Sequence, residues 1–345
     1  MIDVSTTPVT DAVLDVADMR VWYAGPGGPV RAVDGVSFSL RPGEVLGLVG
    51  ESGCGKSTLG RGLMGLTPRG AAIDGTVTFD GMDLLSMPQK QRERLRGAGM
   101  GLIFQEPMTR LDPLMKVSEH FDEALKSHEK SLSKSDRRAR ALEALRALGI
   151  PPTRYQNYPH EFSGGMRQRI MIALALALRP KFIIADEPTT ALDVLVEAQI
   201  LRILADIREQ FHPAILLITH NLGIVAEACD RLAVMYAGRI VEQGPVREVF
   251  ADPQHPYTQA LLRSTISLST QELHSIAGAP PDLVAPPPGC RFHPRCEHAM
   301  QICAQRQPPL VITGNRQAEC WLLEPADDVS RRLLQREEVS VADEA

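Results

Sequence analysis

Apolar residues along this chain fall in short blocks, each ended by glycine, proline or a polar residue. Three blocks are unbroken: Val45-Leu46-Gly47-Leu48-Val49, Phe182-Ile183-Ile184-Ala185 and Ala214-Ile215-Leu216-Leu217-Ile218. Runs of this length without a polar face predict strands buried on both sides. Gly101-Leu102-Ile103-Phe104 is a fourth strand of this kind, and residues 231–236 read as a last one. Val36-Ser37-Phe38-Ser39-Leu40 alternates instead, as a half-buried strand does. It closes a stretch from Val13 that reads as short strands around the turn Gly25-Pro26-Gly27-Gly28-Pro29. Thr76-Val77-Thr78-Phe79, followed by Asp80-Gly81, adds a strand and a turn. Helical spacing fills the gaps: residues 58–66, a charged segment over 89–96, and a long Ala-, Leu- and Glu-rich stretch over 115–148. Within the last, Ala141, Leu142, Leu145 and Leu148 mark an apolar face, while 131–140 is charged enough to be a solvated helix start or a loop. This stretch reads as an inserted helical subdomain. Strands alternating with helices predict a mostly parallel α/β sheet with its chemistry at the strand carboxyl ends.

Chemistry enters directly after the first buried strand. Gly50-Glu51-Ser52-Gly53-Cys54-Gly55-Lys56-Ser57-Thr58 fits the P-loop pattern of Gly, four residues, Gly-Lys-Ser, between a strand and a helix. Its glycines let backbone N–H groups turn toward phosphate oxygens at the positive end of the helix. In that reading Lys56 reaches the β- and γ-phosphates of a nucleoside triphosphate, and the Ser57 hydroxyl ligates Mg²⁺. The bland alternative is an ordinary strand-to-helix turn carrying a surface lysine.

Three later strands end in groups that suit the same reaction. Asp186 and Glu187 follow an apolar run, where one carboxylate could hold Mg²⁺ and the other polarise water. His220 closes the next strand, and Gln105 closes the one at 101–104. Taken alone, each is more often structural. Ser163-Gly164-Gly165 opens a helix, with Ser163 as N-cap and the glycines baring N–H groups to an anion. Since one phosphate site already exists in the chain, a second helix start of this kind suggests a site supplied to another subunit.

Bulk properties change the picture little. The chain has 345 residues, 44% hydrophobic and 23% charged, which is ordinary for a folded protein with two or three domains. A net charge of −5 argues against broad attraction to nucleic acid or anionic lipid. The apolar runs fall short of the ~20 residues of a membrane span, and residues 1–11 read as a loose polar leader without a secretory pattern. The expectation is a cytosolic protein that needs partners for any membrane role. Proline density rises near Pro280-Pro281 and Pro286-Pro287-Pro288, and a polar tail occupies 325–345. Of six cysteines, Cys290, Cys296, Cys303 and Cys320 crowd into one segment with five, six and sixteen residues between them. In a reducing compartment this predicts a metal site before a disulfide framework. The spacing names no metal, because four sulfur ligands suit iron–sulfur or zinc. Reduced thiols in a small packed domain are the plain alternative.

Gly50 to Thr58, Gln105, Ser163-Gly164-Gly165-Met166-Arg167-Gln168, Asp186-Glu187, Ala191-Leu192-Asp193 and His220 stand in the order and spacing of ATP-binding cassette (ABC) ATPases, and the chain resembles them over about 13–240. The resemblance implies a P-loop NTPase, RecA-like core with an antiparallel β subdomain and a helical subdomain over about 107–166. It also implies a head-to-tail dimer in which each ATP lies between one P-loop and the other cassette's signature. In this scheme Glu187, His220 and Gln105 are catalytic, and Ser57, Gln105 and Asp186 surround Mg²⁺. Ser163, Gly164, Gly165, Met166 and Gln168 serve the partner's ATP, Asp193 communicates across the dimer, and Tyr23 stacks on adenine with Trp22 as runner-up.

The resemblance narrows further. Phe104-Gln105-Glu106-Pro107-Met108, Leu111-Asp112-Pro113, Tyr158-Pro159-His160-Glu161-Phe162, His255-Pro256-Tyr257-Thr258 and Gly289-Cys290-Arg291-Phe292-His293-Pro294-Arg295-Cys296 resemble dipeptide/oligopeptide permease ATP-binding subunits. Arg110 stands where that family more often has a small polar residue. The implied layout is a cassette over 12–250 and a Cys-rich C-terminal extension over 251–324. Some members carry a [4Fe-4S] cluster there, so iron is preferred to Zn²⁺, with Cys290, Cys296, Cys303 and Cys320 as ligands and His293 or His298 as substitutes. The implied function is ATP-driven import of dipeptides or oligopeptides from the cytoplasmic face of the membrane. The implied partners are a second cassette subunit, two permeases and an external binding protein. Two other readings stay open: an importer of nickel or another small solute, and a soluble cassette ATPase acting on nucleic acid or ribosomes.

Overall fold

A computed structural model describes residues 11–103, 111–188, 194–264 and 276–325. Gln105, Arg110 and Asp193, residues 1–10 of the 1–11 leader and residues 326–345 of the 325–345 tail lie outside the described residues. In chain order come β1 (Leu14–Tyr23), β2 (Val30–Leu40), β3 (Val45–Val49), α1 (Lys56–Leu63), β4 (Ala72–Phe79), β5 (Met82–Asp83), α2 (Gln89–Ala98) and β6 (Met100–Ile103). The helical stretch gives α3 (Val117–His128), α4 (Lys134–Ala147) and α5 (Gly164–Ala177). Then follow β7 (Phe182–Asp186), α6 (Val194–Phe211), β8 (Ala214–Ile218), α7 (Leu222–Ala228), β9 (Arg231–Tyr236), β10 (Arg239–Pro245), α8 (Val246–Ala251) and α9 (Pro256–Arg263). A hairpin of β11 (Leu310–Thr313) and β12 (Arg316–Glu319) comes last.

The strands form two sheets. One is antiparallel, in the order β2-β1-β4-β5. The other runs β11-β12-β10-β9-β3-β8-β7-β6. Its β6, β7, β8, β3 and β9 are mutually parallel, whereas β10, β12 and β11 join antiparallel. The expected mostly parallel sheet is therefore mixed. β10 and β12 leave no apolar run in the sequence, because Gln243, Gly244, Arg316 and Gln317 interrupt them.

Successive side chains of a strand point to opposite faces, and the central strands use both. Ile183, Ala185, Ile215 and Leu217 enter a core shared with Phe121, Leu145, Ile170 and Ala173 of the helices. Phe182, Ile184, Leu216, Ile218, Leu46 and Leu48 enter a second core with Val16, Val21, Phe38 and Val77 of the antiparallel sheet and Leu59 of α1. This explains why those runs are unbroken. The charged stretch at 131–140 resolves into a helix start: Ser133 Oγ accepts the Asp136 N–H at 3.1 Å and caps α4. A third core packs Val234, Tyr236, Val249, Tyr257 and Phe292 together, joining the C-terminal segment to β9.

Candidate functional site

Three neighbouring strands deliver the site. β3 leads into residues 50–55, β7 ends at Asp186, and β8 leads to Thr219 and His220, so the carboxyl ends of adjacent parallel strands converge. Gly55 has φ 109°, and a Cβ there would lie 2.0 Å from the Ala32 carbonyl oxygen of β2. Only glycine fits so close to another backbone at positive φ. Gly53, at φ 81°, faces open space, with nothing within 4 Å of an added Cβ. Ser52 and Gly53 are exposed, whereas Cys54 is buried, and burial pushes its thiol pKa up. The loop is thus an open cradle backed against β2.

Lys56 is 6% exposed, and its Nζ donates to the carbonyl oxygens of Gly50 at 2.7 Å and Glu51 at 3.0 Å. The ammonium is curled inside the loop with its charge aimed at the cradle floor. Ser57 Oγ donates to Asp186 Oδ1 at 2.9 Å, which brings a hydroxyl and a carboxylate together across 129 residues of sequence. Burial raises the Asp186 pKa, opposed by the Ser57 hydrogen bond and by Arg61. Two hard oxygen donors at this spacing suit Mg²⁺, which keeps several waters and takes few protein ligands. Thr58 follows on α1, partly buried.

Glu187 has φ 46°, a left-handed conformation unusual for a residue with a side chain. Its N–H donates to the Ile218 carbonyl oxygen at 2.9 Å. His220 Nδ1 lies 3.5 Å from Glu187 Oε1, with the imidazole 62% exposed and the carboxylate side chain 16% exposed. The two are thus brought together at the ends of adjacent strands. Tyr23 ends β1, half-buried, and packs on the second core. Trp22 is engaged elsewhere: its Nε1 donates to Asp34 Oδ1 at 3.1 Å, and the Arg31 guanidinium lies 5.2 Å from its ring centroid.

The Ser-Gly-Gly stretch opens α5 as expected, with Ser163 Oγ accepting the Met166 N–H at 3.4 Å and open space around Gly164. Gly165 and Met166 are half-buried in the first turn. Gln168 is buried, and its Nε2 donates to the Pro188 carbonyl oxygen at 2.9 Å. It therefore ties α5 to the residue after Glu187, a contact that no sequence signal announces.

Sequence reasoning also missed two residues that touch the loop from the C-terminal segment. The Tyr257 hydroxyl accepts the Glu51 N–H at 2.9 Å, and Arg295 pairs with the Glu51 carboxylate. The motif resemblance singled out both stretches but gave them no partner.

Cys290, Cys296, Cys303 and Cys320 line one cavity of about 10 Å³ together with His293 and His298. All are free thiols, and burial pushes Cys290 up to about 12 and Cys320 up to about 11. Among the described residues, no group of three or more His, Cys, Asp or Glu side chains is gathered to hold a metal ion. The expected metal centre is thus not supported by the geometry of the thiols.

Residues 33–190 match the family described as ABC transporter, and residues 241–303 match the oligopeptide/dipeptide transporter C-terminal region. The oligopeptide transport ATP-binding protein OppD of Escherichia coli K12 is 46% identical over 329 residues, spanning 93% of this chain and 97% of that protein. This chain belongs to the ABC transporter ATPases. The cassette is equally similar, at 46% over 319 residues, to the dipeptide transport ATP-binding protein DppD of Bacillus subtilis, over 90% and 95% of the two chains. In solved structures its fold matches the dimeric, post-hydrolysis cassette MJ0796 bound to ADP and Pi, with a TM-score of 0.61 and 26% identity over 68% of this chain and 99% of that one. It also matches CbiO1 of Clostridium perfringens, with a TM-score of 0.61 and 30% identity over 70% and 92%. No helix among the described residues is long and apolar enough to cross a membrane.

Proposed function

We propose that this cassette is the ATP-hydrolysing subunit of a dipeptide or oligopeptide importer. The observation that carries the reading is similarity to OppD and DppD proteins over nine-tenths of the chain, C-terminal region included. No comparison favours a nickel importer or a nucleic-acid ATPase. Lys56 and the loop N–H groups receive the triphosphate, and the Ser57 and Asp186 oxygens hold Mg²⁺, which supplies charge neutralisation on the phosphates. Glu187 is placed to polarise the attacking water, and His220 beside it to steady that carboxylate and the departing charge. Gln105, outside the described residues, belongs to the same proposal as a Mg²⁺ and water ligand, as does Tyr23 for adenine.

Ser163, Gly164, Gly165, Met166 and Gln168 would face the ATP of a second cassette, with Asp193 at the same interface; the dimeric MJ0796 structure supports pairing of this kind. Two permeases and an external binding protein would complete the assembly, with the cassettes at the cytoplasmic face. An iron–sulfur centre has in its favour only that Cys290, Cys296, Cys303 and Cys320 share one region of the fold, since among the described residues they are not gathered as a metal site. Iron and sulfide analysis of anaerobically purified protein decides it, and a folded protein free of both removes it.

The central test uses the reconstituted transporter with the partner cassette's site disabled. Wild type is expected to show peptide-stimulated ATP hydrolysis. Glu187→Gln is expected to keep ATP binding and lose about 10²–10⁴ in kcat. Hydrolysis near the wild-type rate would remove Glu187 from its role, and stimulation by a non-peptide solute alone would overturn the cargo.

A further inference from the structure

The phosphate-binding loop is gripped from the far end of the chain. Arg295 lies in a short turn, His293–Arg295, between Cys290 and Cys296. Its guanidinium straddles the Glu51 carboxylate, with Nη1 to Oε2 at 2.6 Å and Nη2 to Oε1 at 3.0 Å. Glu51 directly follows Gly50 in the loop, and its own carbonyl oxygen accepts Lys56 Nζ at 3.0 Å. Its N–H is bound by the buried Tyr257 hydroxyl at 2.9 Å. Carboxylate and backbone of one loop residue are thus both held by the C-terminal segment.

Arg295 is itself fixed. Its side chain is 5% exposed, Nε donates to the Ala277 carbonyl oxygen at 2.8 Å, and Nη2 donates to that of Ile276 at 3.2 Å. The planar fork of arginine makes a bidentate pair that an ammonium cannot copy. A carboxylate in a loop that receives a triphosphate repels its ligand, and a buried guanidinium locked onto it offsets that repulsion.

We propose that Arg295 is a positioning residue of the ATP site, neutralising Glu51 and fixing the first half of the P-loop, so that the C-terminal segment is part of the nucleotide-binding apparatus. The proposal rests on residues 50–58 being the ATP site. It predicts an effect on nucleotide affinity separable from folding. Removing one partner of a largely buried pair leaves the other charge uncompensated. Arg295→Ala is therefore expected to raise KM for ATP about tenfold, with a much smaller change in kcat. Adding Glu51→Gln to Arg295→Ala removes the stranded charge and is expected to recover most of that affinity. Arg295→Lys, which keeps the charge and loses the fork, is expected to fall between.

The experiment measures MgATP binding to the full-length chain and steady-state ATPase in the assembled transporter, with Tm recorded for each variant. Lys56→Ala is the control for the site itself: if it binds ATP as wild type does, the P-loop reading fails, independently of Arg295. If Lys56→Ala loses binding while Arg295→Ala keeps wild-type affinity, the positioning role is overturned. A lowered Tm with unchanged KM, or no recovery on adding Glu51→Gln, likewise overturns it in favour of a purely structural contact. If Arg295→Ala does not fold, Arg295→Lys with and without Glu51→Gln carries the same comparison.

Discussion

Gly53 and Gly55 stand two residues apart in the same loop and face different neighbours, which separates binding from folding. A methyl at Gly55 would sit 2.0 Å from the Ala32 carbonyl oxygen, whereas one at Gly53 meets nothing within 4 Å. Gly55→Ala is expected to push β2 away from the loop and lower Tm by well over the effect of Gly53→Ala. Gly53→Ala is expected to cost about 1 kcal/mol of backbone strain, yet to weaken ATP binding, because Gly53 lies exposed on the phosphate-binding loop. Paired thermal melts and ATP titrations check this; equal losses of Tm in both variants would refute it. At this scale the sequence was most legible where chemistry sits at the end of an apolar run. Lys56 and Ser57 stand in a P-loop pattern, and Asp186, Glu187 and His220 follow apolar runs, so one motif and the buried strands mark these positions in the sequence. Tyr257, 206 residues from its partner, and Arg295, 244 residues away, could not be located, because nothing local distinguishes a hydroxyl or guanidinium that will meet Glu51.

Helix caps show the same logic one level up. His255 caps α9: its Nδ1 accepts the Tyr257 N–H at 3.0 Å, while the His255 N–H donates to Glu242 Oε2 at 2.9 Å. Full burial holds the imidazole neutral and lowers its pKa to about 3. The unfolded chain, with an ordinary histidine near 6.5, therefore binds more protons between those values. Stability from this cap is intact above about pH 6.5 and is lost as pH falls toward 3, by about 2 kcal/mol at pH 5. Burial raises the pKa of the neighbouring Glu242, which slopes the other way, so the difference between wild type and His255→Asn isolates the histidine. Urea unfolding at pH 7 and pH 5 is expected to show a steeper loss in wild type; identical slopes would contradict a buried neutral His255. The helices of 115–148 were readable from spacing, but the polar positions of β10 and β12 hid them. Those strands are held by side-chain pairs such as Gln243 Nε2 to Gln317 Oε1 at 2.7 Å, which leave no periodic trace.

Across the whole molecule, the C-terminal segment is built into the cassette. β12 extends the main sheet beyond β10, Arg239 and Glu319 pair at 3.1 Å across it, and Phe292 packs against Tyr236 with ring centroids 5.2 Å apart. Arg291 adds buried bonds to Asp34 and to the Ala237 carbonyl oxygen. Deleting residues 310–319 is expected to bare the edge of β10 and lower both Tm and solubility, since an unpaired edge invites pairing with other chains. A deletion variant as soluble and heat-resistant as wild type would show the hairpin to be an ornament.

Pairing β10 with β12 also sets an order in time. Glu242 meets Ala318 only after seventy-six further residues have been added to the chain, and Glu51 meets Arg295 only after most of it is made. A polypeptide emerging from the ribosome can close β3, β8 and β9 around the nascent nucleotide loop long before its last strand exists. Its central parallel strands are thus in place while one sheet edge and one loop carboxylate still wait for their partners. Contacts so distant in sequence form slowly, and until they do the newborn chain carries an open sheet edge and an unpaired loop carboxylate.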